Sequence, residues 1–112
     1  MFNTTRKKRL SKHDIVFSTP FRQGIGLMFN HARKDHAYLF PLRRPKIVPL
    51  TMLFVFTPID VLYTRRGRVV DLIHDFRPFT NYTPRVKANL VVELPKGTLY
   101  RTDTRIGDAV KA

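Results

Sequence analysis

Seven of the chain's eight prolines fall between residues 41 and 95, at Pro41, Pro45, Pro49, Pro58, Pro78, Pro84 and Pro95. Inside a helix a proline costs about 3 kcal/mol, because its ring collides with the preceding turn and it has no N–H to donate. This half of the chain therefore cannot hold long helices. The segments between its prolines are β-branched and aromatic, which reads as a series of short strands.

Ile47–Phe56 is almost continuously apolar, the pattern of a strand buried on both faces. Ile59–Tyr63 and Val69–Ile73 flank Arg65-Arg66-Gly67, so the two runs predict a hairpin with Gly67 in a left-handed position. A third strand is expected over Lys87–Leu94, with Ala88, Leu90, Val92 and Leu94 on one face and Lys87, Asn89, Val91 and Glu93 on the other. Earlier strands are expected at Asp14–Phe17 and Ala37–Phe40. Helix is signalled twice. Thr19 and Pro20 suit an N-terminus ahead of Phe21, Ile25, Met28 and Phe29, and a turn or two fits between Lys96 and Thr102.

A chain of 112 residues has room for one core. Residues 1–11 are basic with few large apolar groups and read as a flexible N-terminal tail, leaving 12–112 as a single β-rich domain. Many short strands punctuated by Pro and Gly, without βαβ alternation, argue for a sandwich or a closed barrel.

The chain carries 21 Lys+Arg against 8 Asp+Glu, a formal net charge of +13. Residues 1–46 hold 11 of the bases and 2 of the acids. Bases concentrate at Arg6, Lys7, Lys8 and Arg9, at Arg33-Lys34, at Arg43, Arg44 and Lys46, and at Arg65, Arg66 and Arg68. Such a field attracts polyanions, so nucleic acid is one candidate partner, met through this basic surface. No apolar h-region follows the basic start, and the longest apolar run is far short of the roughly 20 residues a membrane span needs. With no cysteine at all, a cytoplasmic protein without disulfides or thiolate metal sites is the expectation.

Most chemical constellations fail on spacing. Gly24-Ile25-Gly26 lacks the third glycine of a dinucleotide loop, and no Gly-Lys-Ser/Thr exists to cradle phosphate. His31, Asp35 and His36 form the one local cluster of metal-ligand types, but Arg33 and Lys34 beside them repel a cation. Ser11 and Ser18 are the only serines, and neither sits in a nucleophile elbow. Asp60 and Glu93 stand out, since each lies in an apolar strand where an unpaired charge is expensive. They are either structural carboxylates or, as in a carbohydrate-active enzyme, an acid and a base. Phe79 and Tyr82 between Arg77 and Arg85 form either a stacking platform for bases or sugars or a loop pinned to the core.

A wider set of residues falls in a familiar order. It runs Gly26-Leu27-Met28-Phe29, Tyr38-Leu39-Phe40, Met52, Pro58-Ile59-Asp60, Gly67-x-Val69-Val70, Arg77-Pro78-Phe79, Tyr82, Val92-Glu93-Leu94-Pro95-x-Gly97-Thr98 and Gly107-Asp108. In this the chain resembles the domain of unknown function 192 family, also called uncharacterised protein family 0127, over residues 14–112. The resemblance implies a mainly β, jelly-roll-like sandwich or barrel with one or two short helices. It implies no established activity, cofactor or substrate. Many relatives carry an aromatic, Met, a basic residue, Asn and Thr where this chain reads Thr51-Met52-Leu53-Phe54-Val55. The expected function is a non-catalytic module binding a small ligand or a protein, through Asp60, Arg77, Tyr82 and Glu93, with no cofactor. Nucleic-acid binding through the basic half and the Asp60/Glu93 enzyme are the alternatives.

Overall fold

Arg66 and Gly67, with φ of 54° and 74°, reverse the chain between β6 (Ile59–Arg65) and β7 (Arg68–Phe76). Two left-handed residues between directly paired Arg65 and Arg68 match the twist of the flanking strands, and the predicted hairpin forms there. These coordinates come from a computed structural model, which describes residues 1–17, 33–51, 58–77 and 80–112.

The hairpin builds one half of a five-stranded sheet. On its other side β6 pairs antiparallel with β9 (Ala88–Pro95), from Ile59↔Pro95 to Thr64↔Leu90. Strand β9 pairs antiparallel with β4 (His36–Lys46), and β3 (His13–Val16) adds a parallel edge, giving the order β3-β4-β9-β6-β7. Among the described residues no pairing joins β3 to β7, so the sheet is open and the fold is sandwich-like. Two small sheets accompany it. One joins β1 (Phe2–Asn3), β2 (Lys8–Arg9) and β10 (Val110–Lys111) in the order β10-β1-β2, and the other pairs β5 (Leu50–Thr51) with β8 (Asn81–Tyr82).

Both faces of the central sheet are covered. Tyr38, Phe40, Ile59, Val61, Tyr63, Phe76 and Val91 pack on one face with Val48 and Leu50. Leu39, Leu62, Val69, Val92 and Leu94 pack on the other with Met1, Leu10, Leu99 and Val110. Burial of both faces matches β6, where every residue from Ile59 to Thr64 is buried. It also corrects the half-polar face expected of β9, where Val91 and Glu93 are as buried as Val92 and Leu94.

The run expected as one strand over Ile47–Phe56 is broken. Ile47 is partly exposed, Val48 is buried with its carbonyl accepting the Tyr63 hydroxyl at 3.1 Å, and pairing starts only at Leu50, after Pro49. Residues 52–57 of that run lie outside the described residues, as does the helix expected from Thr19. The other expected helical stretch contains α1 (Thr98–Arg101).

Residues 1–11 are not a loose tail. Strand β1 lies between β2 and β10, and Asn3 is fully buried. Its side-chain amide donates to Thr104 Oγ1 at 3.1 Å and to Asp108 Oδ2 at 3.0 Å. Asp108 Oδ2 also accepts Arg6 Nε and the Arg105 backbone N–H, each at 3.0 Å. Burial alone would push Asp108 up, but the Asn3, Arg6 and Arg105 hydrogen bonds outweigh it and hold the carboxyl below its ordinary value. Two buried leucine-sized side chains and this polar network anchor a segment whose composition suggested disorder.

Candidate functional site

Register decides which of the predicted site residues can meet. On β6 and β9, Asp60 stands opposite Leu94, and Val61 stands opposite Glu93. Residues directly opposite share a face, and neighbours along a strand alternate. Asp60 and Glu93 therefore project from opposite faces of the sheet, which removes the acid–base pair that a carbohydrate-active enzyme would need.

Each carboxyl has its own account. Asp60 is fully buried, and both of its oxygens are used: Oδ1 accepts the Asp75 N–H and Oδ2 the Leu99 N–H, each at 2.9 Å. Asp75 is left-handed (φ 53°) at an irregularity in the β6–β7 register, and α1 begins after a left-handed Gly97 with no side-chain cap of its own. Asp60 thus holds a bulge and caps a helix at once, which is structural work. Glu93 is 1% exposed, and its Oε2 has no hydrogen-bond partner. Burial pushes its carboxyl up to about 8, so it is mostly protonated at neutral pH.

Arg77 contacts neither carboxyl among the described hydrogen bonds and ion pairs. Its guanidinium is largely exposed and pairs with Asp75 at 3.1 Å. Phe79 lies outside the described residues.

Tyr82 does line a cleft, with a volume of about 520 Å³, together with Val70, Asp71, Thr83, Arg85 and Val86. Its hydroxyl donates to Asp71 Oδ2 at 2.5 Å, and Asp71 Oδ1 accepts the Leu72 N–H at 2.8 Å. The bond to Asp71, with burial second, pushes the Tyr82 phenol up to about 12, so it stays a donor throughout the physiological range. The Tyr63 ring packs 6.3 Å from the Tyr82 ring, centroid to centroid. Burial pushes the Tyr63 phenol up as well. Of the four predicted ligand residues, the cleft gathers only Tyr82.

Several of the basic segments converge at one end of the central sheet. Pro41, Leu90, Thr64 and Val69 form one row across β4, β9, β6 and β7. Beyond that row, at one end of the sheet, stand Arg43, Arg44 and Lys46 from β4, Arg65 and Arg66 from β6 and its turn, and Arg68 from β7. Arg85 and Lys87, which precede β9, join them. Between Pro41 and Lys46 the register shifts, so β4 carries Arg43 and Arg44 in an irregular stretch rather than in the ladder. All of these cations except the half-buried Arg65 are exposed. Among the described residues none of them forms an ion pair; the ion pairs there engage Arg6, Arg77, Lys96, Arg105 and the amino group of Met1. The small sheet docks against this end, with Val110 N–H donating to Gly67 O at 2.9 Å and Arg68 bridging to Ala109. That sheet carries the exposed Lys7, Lys8 and Arg9, whereas Arg6 is taken up by Asp108.

Sequence reasoning missed Asp71, Val70, Thr83 and Val86 as cleft residues, and Lys87 as part of the basic end. Asp71 is an acid in an alternating strand and carries no local signal; its meeting with Tyr82 spans 11 positions and exists only in three dimensions. Among the described residues no group of three or more His, Asp or Glu side chains is placed to hold a metal ion. No described helix is long and apolar enough to cross a membrane.

Comparison with known proteins bears on the same chain. The family model DUF192, described as an uncharacterised ACR, matches residues 3–112. A UPF0127 protein of Pyrococcus furiosus is 26% identical over 112 residues, covering 99% of this chain and 96% of the relative. A UPF0127 protein of Pyrococcus horikoshii is 28% identical over 91 residues, covering 80% and 78% of the two chains. Among solved structures, a protein of unknown function from Novosphingobium aromaticivorans superposes with a TM-score of 0.74 at 17% identity, over 98% of this chain and 81% of the other. That likeness speaks to the fold alone.

Proposed function

This chain belongs to the DUF192 family, and from that premise, which brings a fold but no activity, we propose that it is a non-catalytic binding module whose partner is a nucleic acid held at the basic end of the central sheet. One observation carries the reading. Bases from β4, the β6–β7 turn and the approach to β9, far apart in sequence, share one end of the sheet with no ion-pairing partner among the described residues. Leaving like charges side by side raises the energy of the folded state, and a polyanion is the partner that relieves it. A catalytic reading has less support, because Asp60 is consumed by two backbone N–H groups and Glu93 faces the other way.

Fluorescence anisotropy of a labelled oligonucleotide between 50 and 200 mM salt tests this. Phosphate contacts release counterions, so the logarithm of the affinity should fall linearly with the logarithm of salt, by about 0.7–0.9 per phosphate engaged. The triple variant Arg65→Ser, Arg66→Ser, Arg68→Ser should weaken binding and make that slope shallower by roughly two. Binding that is absent, or that ignores salt, overturns the reading.

A further inference from the structure

Resting on the nucleic-acid reading, we propose that the cleft beside the basic end receives an unpaired nucleobase, so that the strand this protein holds is single-stranded. The cleft opens between the first residues of β7 and the segment leading into β9, which also carries Arg85. Arg68 and Lys87 lie one or two residues beyond its lining, so the cleft and the cationic rim are continuous. Its volume of about 520 Å³ falls within the range of clefts that bury small ligands, about 300–1,000 Å³.

The lining chooses between the parts of a nucleotide. Val70, Val86 and the Tyr82 ring supply apolar surface, and Val86 is 42% exposed. Arg85 and Asp71 both belong to the lining, and a phosphate pushed past Arg85 toward Tyr82 would face the Asp71 carboxylate that holds the Tyr82 hydroxyl. Phosphates therefore stay on the rim, among Arg85, Lys87 and Arg68, while a neutral ring enters. Tyr82 is held by its hydroxyl bond to Asp71, so the ring is positioned before any ligand arrives. Stacking of a base on an aromatic ring contributes about 1–3 kcal/mol and tolerates any sequence. A base inside a duplex is stacked on both sides and paired, and cannot make this contact without being pulled out.

The experiment compares a labelled 15-nucleotide single strand, the duplex of the same sequence, inorganic polyphosphate and phosphatidylserine vesicles at one salt concentration. The expected result is at least a tenfold preference for the single strand over the duplex. Tyr82→Val should bring the single strand down to the duplex level while leaving the salt slope unchanged. Should Tyr82→Val fail to melt cooperatively, Val86→Met, an exposed position whose longer aliphatic side chain occupies the cleft without offering a stacking ring, gives the same readout. Equal binding of single strand, duplex and polyphosphate overturns the cleft assignment and leaves the basic-end reading standing. No binding to any nucleic acid, or a preference for vesicles, overturns both.

Discussion

Asp60 on β6 accepts the backbone N–H of Leu99, 39 residues away, at 2.9 Å, so a strand carboxylate caps the helix α1. Its other oxygen holds the Asp75 N–H at the β7 bulge. Hydrogen bonds to a charged acceptor contribute about 1.5–3 kcal/mol each, and orphaned buried N–H groups add to the loss when the acceptor goes. Asp60→Ala should therefore cost about 3–5 kcal/mol of unfolding free energy in urea titrations, and Asp60→Asn distinctly less. A loss below about 1 kcal/mol for the alanine variant would contradict the capping role.

Glu93 makes stability depend on pH. Its carboxyl sits near 8 in the folded chain against an ordinary value of 4.5, through burial. Above the ordinary value the unfolded chain releases this proton while the native state keeps it. Stability should thus fall as pH rises from about 4.5 to about 8, by up to 1.4 kcal/mol per unit, and level off above. Glu93→Gln, neutral at every pH, should flatten that slope. Urea titrations at pH 5, 6.5 and 8 on both proteins decide, and identical slopes would show that Glu93 is not the group responsible.

Asn3 ties the start of the chain to the segment between α1 and β10 through Thr104 and Asp108. Asn3→Ala leaves Thr104 Oγ1 and Asp108 Oδ2 each one donor short, at a cost of about 1–3 kcal/mol. Because the Asn3 bond helps hold Asp108 low, native stability from Asp108 is present above its unfolded value and lost as pH falls through the folded one. The variant should also lose part of that acid limb. Thermal melts at pH 3 and pH 7 measure both effects; an unchanged melting temperature at pH 7 would restore the picture of residues 1–11 as a flexible tail.

At the β6–β7 turn, Gly67 has φ 74°, and a Cβ added there would meet Val110 O at an ordinary 3.7 Å. The cost of Gly67→Ala is therefore conformational, about 1–2 kcal/mol. Arg66, also left-handed at φ 54°, is the opposite case. Arg66→Asn makes the Asn-Gly pair that this turn favours and should stabilise by about 0.5 kcal/mol while removing one cation from the basic end. Chemical denaturation reads the first effect and the salt slope of oligonucleotide binding the second; destabilisation by Arg66→Asn would count against the turn assignment.

What could be read before folding was whatever depends on neighbours in sequence. The Arg66-Gly67 turn, the β9 segment and the α1 turn all announce themselves within ten residues. The domain family also lies in the order of short motifs. Asp60 and Glu93 show why the site was less legible: each sits in an apolar strand, but which face it takes depends on how β6 registers against β9, and that is fixed by the whole sheet. Residues 1–11 were misread for a related reason. Asn3 has no apolar pattern around it, and its partners Thr104 and Asp108 are more than 100 positions away. The basic clusters were visible singly; the meeting of Arg43, Arg44 and Lys46 with Arg65, Arg66 and Arg68 at one end needed the parallel course of β4 and β6.

That meeting also gives the protein a direction. Toward the other end of the sheet Asp14 is paired with the Met1 amino group and Asp75 with Arg77 and Lys96, so unpaired positive charge is densest at the basic end. A body with such an asymmetry rotates in the field of a polyanion before touching it, presenting the β6–β7 turn first. Productive encounters should then form a larger share of all collisions, an advantage that fades as the Debye length shrinks from about 30 Å at 0.01 M salt to about 8 Å at 0.15 M.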